Sequence, residues 1–388
     1  MALQENGRPQ VALIYRSLPQ YRRRFYELVR EGLGARGVEF KLIYGDTDVA
    51  DDAKQDRIDL PWATRIQNHV IPVGRRFLYW QPCLRELRQA DLVIVEQASK
   101  LLLNYVLLAQ QLLGRTRVAF WGHGRNFQGH TASALGERVK RVMSRRVWWW
   151  FAYNDASSRV VRELGFDPER ITNVQNAIDT RGLLEARARL SAGAREQVRR
   201  ELGITGEHVC IFSGSIYAEK RIDYLLDACM RVREQLPGFE LVVVGAGPDA
   251  GKFTEAAARH PWIHYVGPRF DDAKVPYFAV SRLLLMPGLV GLAVLDAFAL
   301  ETPLVTTSID YHSPEIEYLR DGVNGVVVSP PDDPALYAAR VVELLTDEPL
   351  RQRLVQGCRE SRTRYTVENM AANFTDGILS ALDAAGAR

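Results

Sequence analysis

The sequence predicts an α/β fold with two parallel sheets in succession, and three observations indicate it. Short apolar segments, such as residues 11–15 and 92–96, alternate with longer amphipathic segments, as strands alternate with crossover helices. An Arg- and Ala-rich segment without strands, residues 180–202, interrupts this alternation, which begins again at residue 209. The chain of 388 residues is also too long for one ordinary hydrophobic core. We therefore expect two doubly wound, Rossmann-like domains.

In the first half, six apolar segments are expected to be strands and three amphipathic segments are expected to be helices. β-branched and aromatic residues fill the strand segments, and apolar residues recur at helical spacing in the others. The strands are expected at residues 11–15, 39–44, 92–96, 118–121, 148–153 and 171–174, and the helices at 22–33, 101–113 and 137–145.

In the second half, the same criteria predict six strands and three helices, followed by a helical tail. The strands are expected at residues 209–212, 240–244, 264–266, 283–286, 304–306 and 325–328, the helices at 224–235, 294–300 and 333–346, and the tail at 366–385. The domains are expected at residues 1–180 and 208–365, with a helical connection at 181–207 and a C-terminal helix at 366–388.

Composition excludes several classes of protein. The chain is 47% hydrophobic and 25% charged, which is typical of a globular rather than a disordered protein. Its formal net charge of +3 gives no reason to expect nucleic-acid binding. The four cysteines are scattered without a Cys-x-x-Cys pair, so structural thiols are expected rather than disulfides or a zinc site: Cys83, Cys210, Cys229 and Cys358.

The location expected from the sequence is the cytoplasm. The polar N-terminal residues do not resemble a signal peptide, and the sequence holds no apolar run long enough to span a bilayer. Contact with the inner face of a membrane is the most that these features allow.

The segment at residues 286–296 carries the most functional information. An apolar strand runs into a loop with Gly288 and Gly291, and a helix with Asp296 in its first turns follows. Glycines let backbone N–H groups approach a phosphate, and a helix N-terminus favours negative charge. A carboxylate one or two turns later can accept hydrogen bonds from ribose hydroxyls. The segment therefore predicts a nucleoside diphosphate site, and a plain strand-to-helix turn is the alternative.

The two domains also suggest how substrates are arranged. Ligands of doubly wound sheets bind beyond the carboxyl ends of the strands, so two such domains in tandem are expected to leave a cleft between those edges. A two-substrate enzyme with one substrate on each domain is the simplest use of such a cleft.

Several further motifs make the chain resemble the retaining glycosyltransferases of the GT-B fold, in their large fourth family. The resemblance covers most of the chain in the expected order. In the first half it comprises Trp-Gly-His-Gly at 121–124 and Gln-Asn-Ala-Ile-Asp at 175–179. In the second half it comprises the loop and helix at 212–226, Gly-Ala-Gly-Pro at 245–248, the segment 288–296, His-Ser-Pro-Glu-Ile at 312–316 and Asp-Gly-Val-Asn-Gly at 321–325.

The chain departs from this family at three positions. The paired-glutamate motif of the family has Glu at both ends, whereas here Gly288 and Asp296 stand there. Asp296 keeps a carboxylate that is one methylene shorter, so ribose binding remains the expectation. Gly288 lacks the side chain that would touch the donor sugar, so the backbone at Val290, Gly291 and Leu292 is expected to hold phosphate and sugar oxygens.

The third departure concerns the opposing loop. The family often has Arg after the loop glycine Gly214, and this chain has Ser215, which donates one hydrogen bond but brings no charge. Lys220 is therefore expected to carry more of the phosphate charge as a catalytic cation. The alternative for Lys220 is a solvated surface position.

The resemblance assigns three further residues. His123 is expected beside the transferred sugar as the second catalytic residue, Arg269 near the nucleotide base, and Glu315 near sugar hydroxyls or loop amides. The alternatives are a turn histidine, a surface arginine and a helix-capping glutamate, respectively.

The function that the resemblance implies is transfer of a sugar from a nucleoside-diphosphate sugar to a hydroxyl of a glycan, lipid-linked glycan or natural product. The C-terminal domain would bind the donor, favoured as a UDP-sugar with a GDP-sugar as the alternative, and the N-terminal domain would bind the acceptor. The C-terminal helix is expected to pack back on the N-terminal domain. Transfer of a hexosyl or N-acetylhexosaminyl group without a metal is expected, because Lys220 and loop amides supply positive charge. Aspartate pairs at 51–52 and 271–272 are expected to be solvated.

Two other functions remain open from the sequence. An inactive donor-binding partner subunit is consistent with the missing Glu at 288, and a GT-B sugar-nucleotide epimerase is the second alternative. Basic segments with aromatic neighbours at 20–26 and 138–150 suggest contact with anionic lipid headgroups. An ordinary charged helix face, followed by a buried strand, is the alternative explanation.

Overall fold

The computed structural model describes residues 7–45, 59–74, 76–124 and 143–386. The chain divides into two compact units, of which the first comprises Met1–Asp179 with Val367–Arg388 and the second Thr180–Thr366. Each unit is built on a parallel sheet flanked by helices. The predicted α/β class with two Rossmann-like domains is therefore confirmed.

The first unit contains a parallel sheet and a separate antiparallel hairpin. Its strands are β1 (Gln10–Tyr15), β2 (Glu39–Gly45), β3 (Thr64–Ile66), β4 (His69–Val73), β5 (Arg76–Trp80), β6 (Leu92–Glu96), β7 (Val118–Gly122), β8 (Trp149–Ala152) and β9 (Ile171–Asn173). The sheet order is β3-β2-β1-β6-β7-β8-β9, and β4 pairs with β5 alone. The central strands are apolar because helices and loops bury both faces of the sheet.

The second unit contains a single parallel sheet. Its strands are β10 (His208–Ser213), β11 (Phe239–Val244), β12 (Ile263–Gly267), β13 (Leu283–Leu285), β14 (Leu304–Thr307) and β15 (Gly325–Val328). The sheet order is β12-β11-β10-β13-β14-β15, and every pair is parallel.

Most of the described helices lie between strands, and three follow the last strand, β15. In chain order they are α1 (Arg23–Gly34), α2 (Leu102–Leu112), α3 (Asp155–Glu163), α4 (Arg181–Arg189), α5 (Ala192–Leu202), α6 (Ile222–Gln235), α7 (Ala250–Arg259), α8 (Val275–Ala279), α9 (Ala293–Ala299), α10 (Pro334–Thr346), α11 (Glu348–Arg364) and α12 (Val367–Gly386). Within the described residues, no helix has both the length and the apolar character needed to cross a bilayer.

The C-terminal helix α12 packs on the first unit, as the sequence predicted. It lies against α1, and its Phe374 ring contacts Phe25 at 5.2 Å and Phe151 at 4.4 Å between ring centroids. These aromatic rings are fully buried. The last helix of the chain therefore completes the core of the first unit.

The basic segment at 20–26 is not a uniform surface patch, and this corrects the sequence interpretation for Arg22. Its side chain is only 2% exposed, it donates to Asn176 Oδ1 at 2.6 Å, and its guanidinium lies 5.0 Å from the Trp121 ring centroid. Such a group is held by π-electrons and an amide oxygen rather than by a lipid phosphate. Arg22 thus stabilises the first unit.

Some of the other residues that the sequence singled out lie in the described part of the chain, and others lie outside it. The tryptophans at 149 and 150 lie in the buried strand β8, and Asp271 and Asp272 are exposed as expected. All four cysteines are buried free thiols. Residues 51–52 and the first part of the basic segment at 138–150, residues 138–142, lie outside the described residues.

Candidate functional site

The candidate site lies at the carboxyl edge of the second sheet, between β10 and β13. The connection from β10 leads to β11 on one side, whereas β13 lies on the other side, so the strand order reverses here. Doubly wound sheets bind ligands at such a point because the two outgoing loops separate and leave a crevice. The loops are residues 214–221 after β10 and residues 286–292 after β13.

The two loops are joined directly. The N–H of Leu289 donates to the carbonyl oxygen of Glu219 at 2.8 Å, and the Lys220 ammonium donates to the carbonyl oxygen of Leu289 at 2.5 Å. Gly288 lies where the loops touch: a Cβ atom there would lie 2.6 Å from Lys220 Cα, and closer still to the carbonyl groups of Glu219 and Lys220. Only glycine therefore fits at 288 without moving the backbone that carries Lys220.

Lys220 is a buried ammonium group without a paired carboxylate. Its side chain is 6% exposed, and Met286 Sδ and the Tyr217 ring are its other close neighbours. Among the described residues no carboxylate lies within 4.0 Å of its Nζ atom. Burial lowers the pKa of Lys220 to about 8. An unpaired cation of this kind marks a site for an anionic ligand.

His312 holds the second loop in place. Its Nδ1 accepts a hydrogen bond from the N–H of Val290 at 3.0 Å, and its Nε2 donates to the carbonyl oxygen of Thr307 at 2.7 Å. This pair of contacts requires the neutral imidazole with hydrogen on Nε2. Burial lowers the pKa of His312, and the nearby Lys220 charge adds to that effect. The neutral form is therefore favoured at neutral pH.

Both backbone polar groups of Val290 are already paired within the protein. Of the backbone at 290–292 that was predicted to hold phosphate and sugar oxygens, this leaves residues 291 and 292. The N–H of Val290 is used by His312, and its carbonyl oxygen accepts from the N–H of Ser313 at 3.0 Å. Among the described residues, nothing accepts a hydrogen bond from the N–H groups of Gly291 and Leu292. These two amides directly precede α9 and are available to bind an anion.

Asp296 in α9 is held by a residue that the sequence did not single out. Lys274 Nζ lies 2.6 Å from Asp296 Oδ2, and both side chains are about 15% exposed or less. The other oxygen, Oδ1, is buried and has no hydrogen-bond partner within the described residues. A buried carboxylate oxygen without a donor is costly, so a ligand hydroxyl is a suitable partner for it.

The loop after β10 is supported from behind by the Gly-Ala-Gly-Pro turn. Ile216 donates its N–H to Ala246 at 2.8 Å and accepts at its carbonyl from Asp249 at 3.1 Å. A Cβ atom at Gly245 would overlap the carbonyl oxygen of Gly214. The turn therefore fixes the backbone of Gly214 and leaves the following Ser215 exposed.

Two predicted binding residues of the second unit, Arg269 and Glu315, lie outside the two loops of the site. Arg269 follows the edge strand β12, is exposed, and its guanidinium lies 5.9 Å from the Tyr277 ring centroid. Glu315 is 4% exposed and lies in the 3-10 turn Pro314–Tyr318. The roles of Arg269 and Glu315, and the alternatives to them, stay predictions.

His123 belongs to the first unit and directly follows β7. Its ring centroid lies 4.1 Å from that of Tyr153, and its Nδ1 lies 3.4 Å from Ser157 Oγ. The side chain of Gln97 holds the next residue, Gly124, by accepting from its N–H at 2.9 Å and donating to its carbonyl at 3.0 Å. His123 therefore occupies a fixed position at the carboxyl edge of the first sheet. The neighbouring polar residues 125, 126 and 130 lie outside the described residues.

The structure brings together Gly214, Ser215, Lys220 and residues 290–292 at the reversal of strand order in the second sheet. Sequence reasoning missed Lys274 and His312, although His312 lies within a motif that the resemblance uses. No group of three or more His, Cys, Asp or Glu side chains suited to a metal ion occurs in the described part of the chain.

Most of the second unit matches a known family model. Residues 207–347 match the family model described as glycosyl transferases group 1. Among curated proteins, D-inositol 3-phosphate glycosyltransferase of Salinispora arenicola is 28% identical over 230 residues, which are 54% of this chain and 49% of that protein. Alpha-D-kanosaminyltransferase of Streptomyces kanamyceticus is 25% identical over 169 residues, or 42% of each chain. The chain spans about half the length of the curated relatives it matches.

Solved structures share the fold over nearly the whole chain. HepE of Anabaena, in a complex with UDP, superimposes with a TM-score of 0.71 at 14% identity, covering 96% of this chain and all of that one. A glycosyltransferase from Rickettsia africae superimposes with a TM-score of 0.70 at 11% identity, covering 97% and 99% of the two chains. At these identities the likeness establishes the fold, and it agrees with the predicted GT-B resemblance.

Proposed function

We propose that this chain is a retaining glycosyltransferase, because residues 207–347 match the family model described as glycosyl transferases group 1. It transfers a hexosyl or N-acetylhexosaminyl group from a nucleoside-diphosphate sugar to a hydroxyl of a glycan, lipid-linked glycan or natural product. The observation that carries the proposal is the unpaired, buried ammonium of Lys220 beside free loop amides at the reversal of strand order. The proposal includes a cytoplasmic location with peripheral contact to an anionic membrane.

We propose a UDP-sugar as the donor, bound by the second unit. HepE, which shares the fold, was solved with UDP and with UDP-glucose. In the present chain the diphosphate would meet Lys220 and the amides of Gly291 and Leu292, and the ribose hydroxyls would meet Asp296 Oδ1. Arg269 would lie near the base. The first unit, with His123 at its carboxyl edge, would bind the acceptor beside the transferred sugar.

In the proposed reaction the bond between the sugar C1 and the diphosphate oxygen breaks, and the acceptor oxygen forms its bond to C1 on the same face. The proton of the acceptor hydroxyl passes to the leaving phosphate oxygen. Charge grows on that phosphate as the oxocarbenium-like state develops, and the ammonium of Lys220 stabilises it. Positioning and charge stabilisation then account for the rate without a covalent intermediate.

The test is release of UDP from a panel of UDP-sugars, with and without candidate acceptors. The proposal predicts UDP release that depends on the acceptor, together with a product whose anomeric configuration matches the donor. Donor binding without turnover across the panel supports an inactive partner subunit instead. Interconversion of UDP-sugars without an acceptor supports an epimerase.

Activity is expected to depend on pH through Lys220. Because burial lowers the pKa of this group to about 8, the free enzyme loses its cation as pH rises through that value. We expect kcat/KM to fall above pH 8, since kcat/KM reports groups of the free enzyme. Bound diphosphate stabilises the ammonium, so kcat should persist to higher pH. Steady-state kinetics between about pH 6.5 and about pH 10, a range that lies on both sides of the lowered pKa of Lys220, checks this. A kcat/KM that stays flat across that range contradicts it.

Asp296 is expected to bind the donor through its ribose. Asp296→Ala should raise the Kd of UDP by about tenfold or more, because a hydrogen bond to a charged group is lost. Calorimetric titration with UDP and with a UDP analogue that lacks both ribose hydroxyls measures this. The analogue should bind the wild type and the variant alike.

The control for this prediction is Asp272→Ala. That carboxylate is exposed in the turn before Lys274, so its loss should leave the Kd of UDP unchanged. If Asp296→Ala weakens UDP and the analogue equally, the carboxylate supports the fold of the loop and does not contact ribose.

A further inference from the structure

The hairpin of β4 and β5 exposes an unusual amount of apolar surface. Four of its side chains are between 41% and 55% exposed: Val70, Ile71, Val73 and Phe77. The tip is the turn at Gly74. Clusters of exposed large apolar side chains are rare on soluble proteins unless they bind a partner.

The exposed side chains lie on both faces of this two-stranded sheet. Pro72 pairs with Phe77, and the next pair along the ladder is Ile71 with Leu78. Successive pairs of an antiparallel ladder point to opposite faces. A groove on a protein partner covers one face of such a hairpin, whereas the interfacial region of a bilayer surrounds both. A lipid surface therefore accounts for the arrangement better than a protein partner.

The charge of the surrounding segment is complementary to an anionic surface. Residues 60–85 contain four arginines and no acidic residue, since the flanking carboxylates are Asp59 and Glu86. At the base of the hairpin, Lys100 Nζ and the Arg16 guanidinium lie 5.3 Å and 5.2 Å from the ring centroid of Tyr79. Cations beside an apolar element are the arrangement that favours anionic lipid headgroups.

The hairpin is attached firmly to the carboxyl edge of the first sheet. Asn68, just before β4, donates to the carbonyl oxygen of Arg16 at 3.0 Å, and Tyr79 donates its N–H to the carbonyl oxygen of Lys100 at 2.9 Å. Trp80, at the end of β5, packs on the core of the first unit. The apolar tip is therefore presented by an ordered base, and little ordering is needed on binding.

We propose that the hairpin His69–Trp80 inserts its apolar tip into the interfacial region of an anionic bilayer. This proposal identifies the surface that makes the membrane contact included in the proposed function. It does not depend on the sugar-transfer reaction. The docked hairpin would bring the carboxyl edge of the first sheet to the lipid surface. An acceptor carried on a lipid would then reach the edge at which His123 lies.

The test is co-flotation of the full chain with vesicles of phosphatidylcholine, with and without phosphatidylglycerol. The wild type should bind the anionic vesicles and lose most of that binding in high salt. Val73→Ser with Phe77→Ser should weaken the binding by about tenfold or more, because two apolar side chains no longer enter the interface. Both residues are exposed, so the fold should be unaffected, which circular dichroism checks.

A matched control removes equally exposed apolar side chains elsewhere in the same unit. Leu112 and Leu113, at the end of α2, are each 67% exposed, and their replacement by Ser should leave vesicle binding unchanged.

Three results would overturn the proposal. They are absence of wild-type binding to anionic vesicles, equal binding by the hairpin variant, and equal loss in the Leu112 and Leu113 control. If light scattering shows that the hairpin variant dissociates a dimer while vesicle binding is absent, the hairpin contacts a second copy instead. Failure of the transfer assay leaves the vesicle result standing, so the two proposals fail separately.

Discussion

Lys220→Ala is expected to lower kcat by about 100- to 1000-fold, which is the usual cost of removing one group that stabilises charge in a transition state. The ammonium lies between the two loops of the site and has no carboxylate partner among the described residues, so its charge is available to the diphosphate. Since a buried cation costs desolvation energy, its removal should change the melting temperature little. Steady-state kinetics and thermal denaturation of the same preparation measure both effects.

The control for Lys220 is Lys252→Ala. Lys252 lies in α7 of the same unit and forms an exposed ion pair with Asp223 at 2.6 Å, so its loss should leave kcat unchanged. Lys220→Arg is expected to resemble the alanine variant, because the larger guanidinium would have to displace the close neighbours Met286 and Tyr217. Near-normal turnover of Lys220→Ala would remove this residue from the mechanism.

The fold was predictable because a parallel sheet buries both faces of its central strands. Such strands are short apolar runs that the sequence displays directly, as in β1, β6 and β11. The helix α11 escaped prediction because its sequence is polar over most of its length, and the hairpin of β4 and β5 escaped because several of its apolar residues are exposed. Helices and strands whose apolar residues do not follow the burial pattern cannot be predicted from that pattern.

The site was predictable only in part, because the order of motifs along the chain does not reveal which loops touch. Lys220 and residues 290–292 were identified from motifs, but the contact between Lys220 and Leu289 joins residues 69 positions apart. Burial of Arg22 was missed for the same reason, since its partners Asn176 and Met370 come from distant parts of the chain. A basic residue among aromatic ones has the same sequence signature in an aromatic cage and on a membrane-binding surface.

Gly288 is the position at which the resemblance and the structure lead to opposite expectations. The related enzymes have Glu at this point of the motif, so the resemblance suggests that Gly288→Glu would restore a contact to the donor sugar. In this chain a Cβ atom at 288 would collide with the main chain of Glu219 and Lys220. We expect Gly288→Glu and Gly288→Ala both to lower kcat/KM by about 100-fold or more, because the backbone that positions the ammonium must move.

Both substitutions should also destabilise the second unit by about 1–3 kcal/mol, as overpacking of a close contact does. The matched control is Gly251→Ala in α7, where an added Cβ meets no atom within 4 Å; this change should leave kcat/KM unaltered and raise stability slightly. Because alanine has no carboxylate, equal losses from Ala and Glu would identify the collision as the cause. Full activity of Gly288→Glu would mean that the loop backbone can move to accommodate a side chain. The structure would then not require glycine at 288.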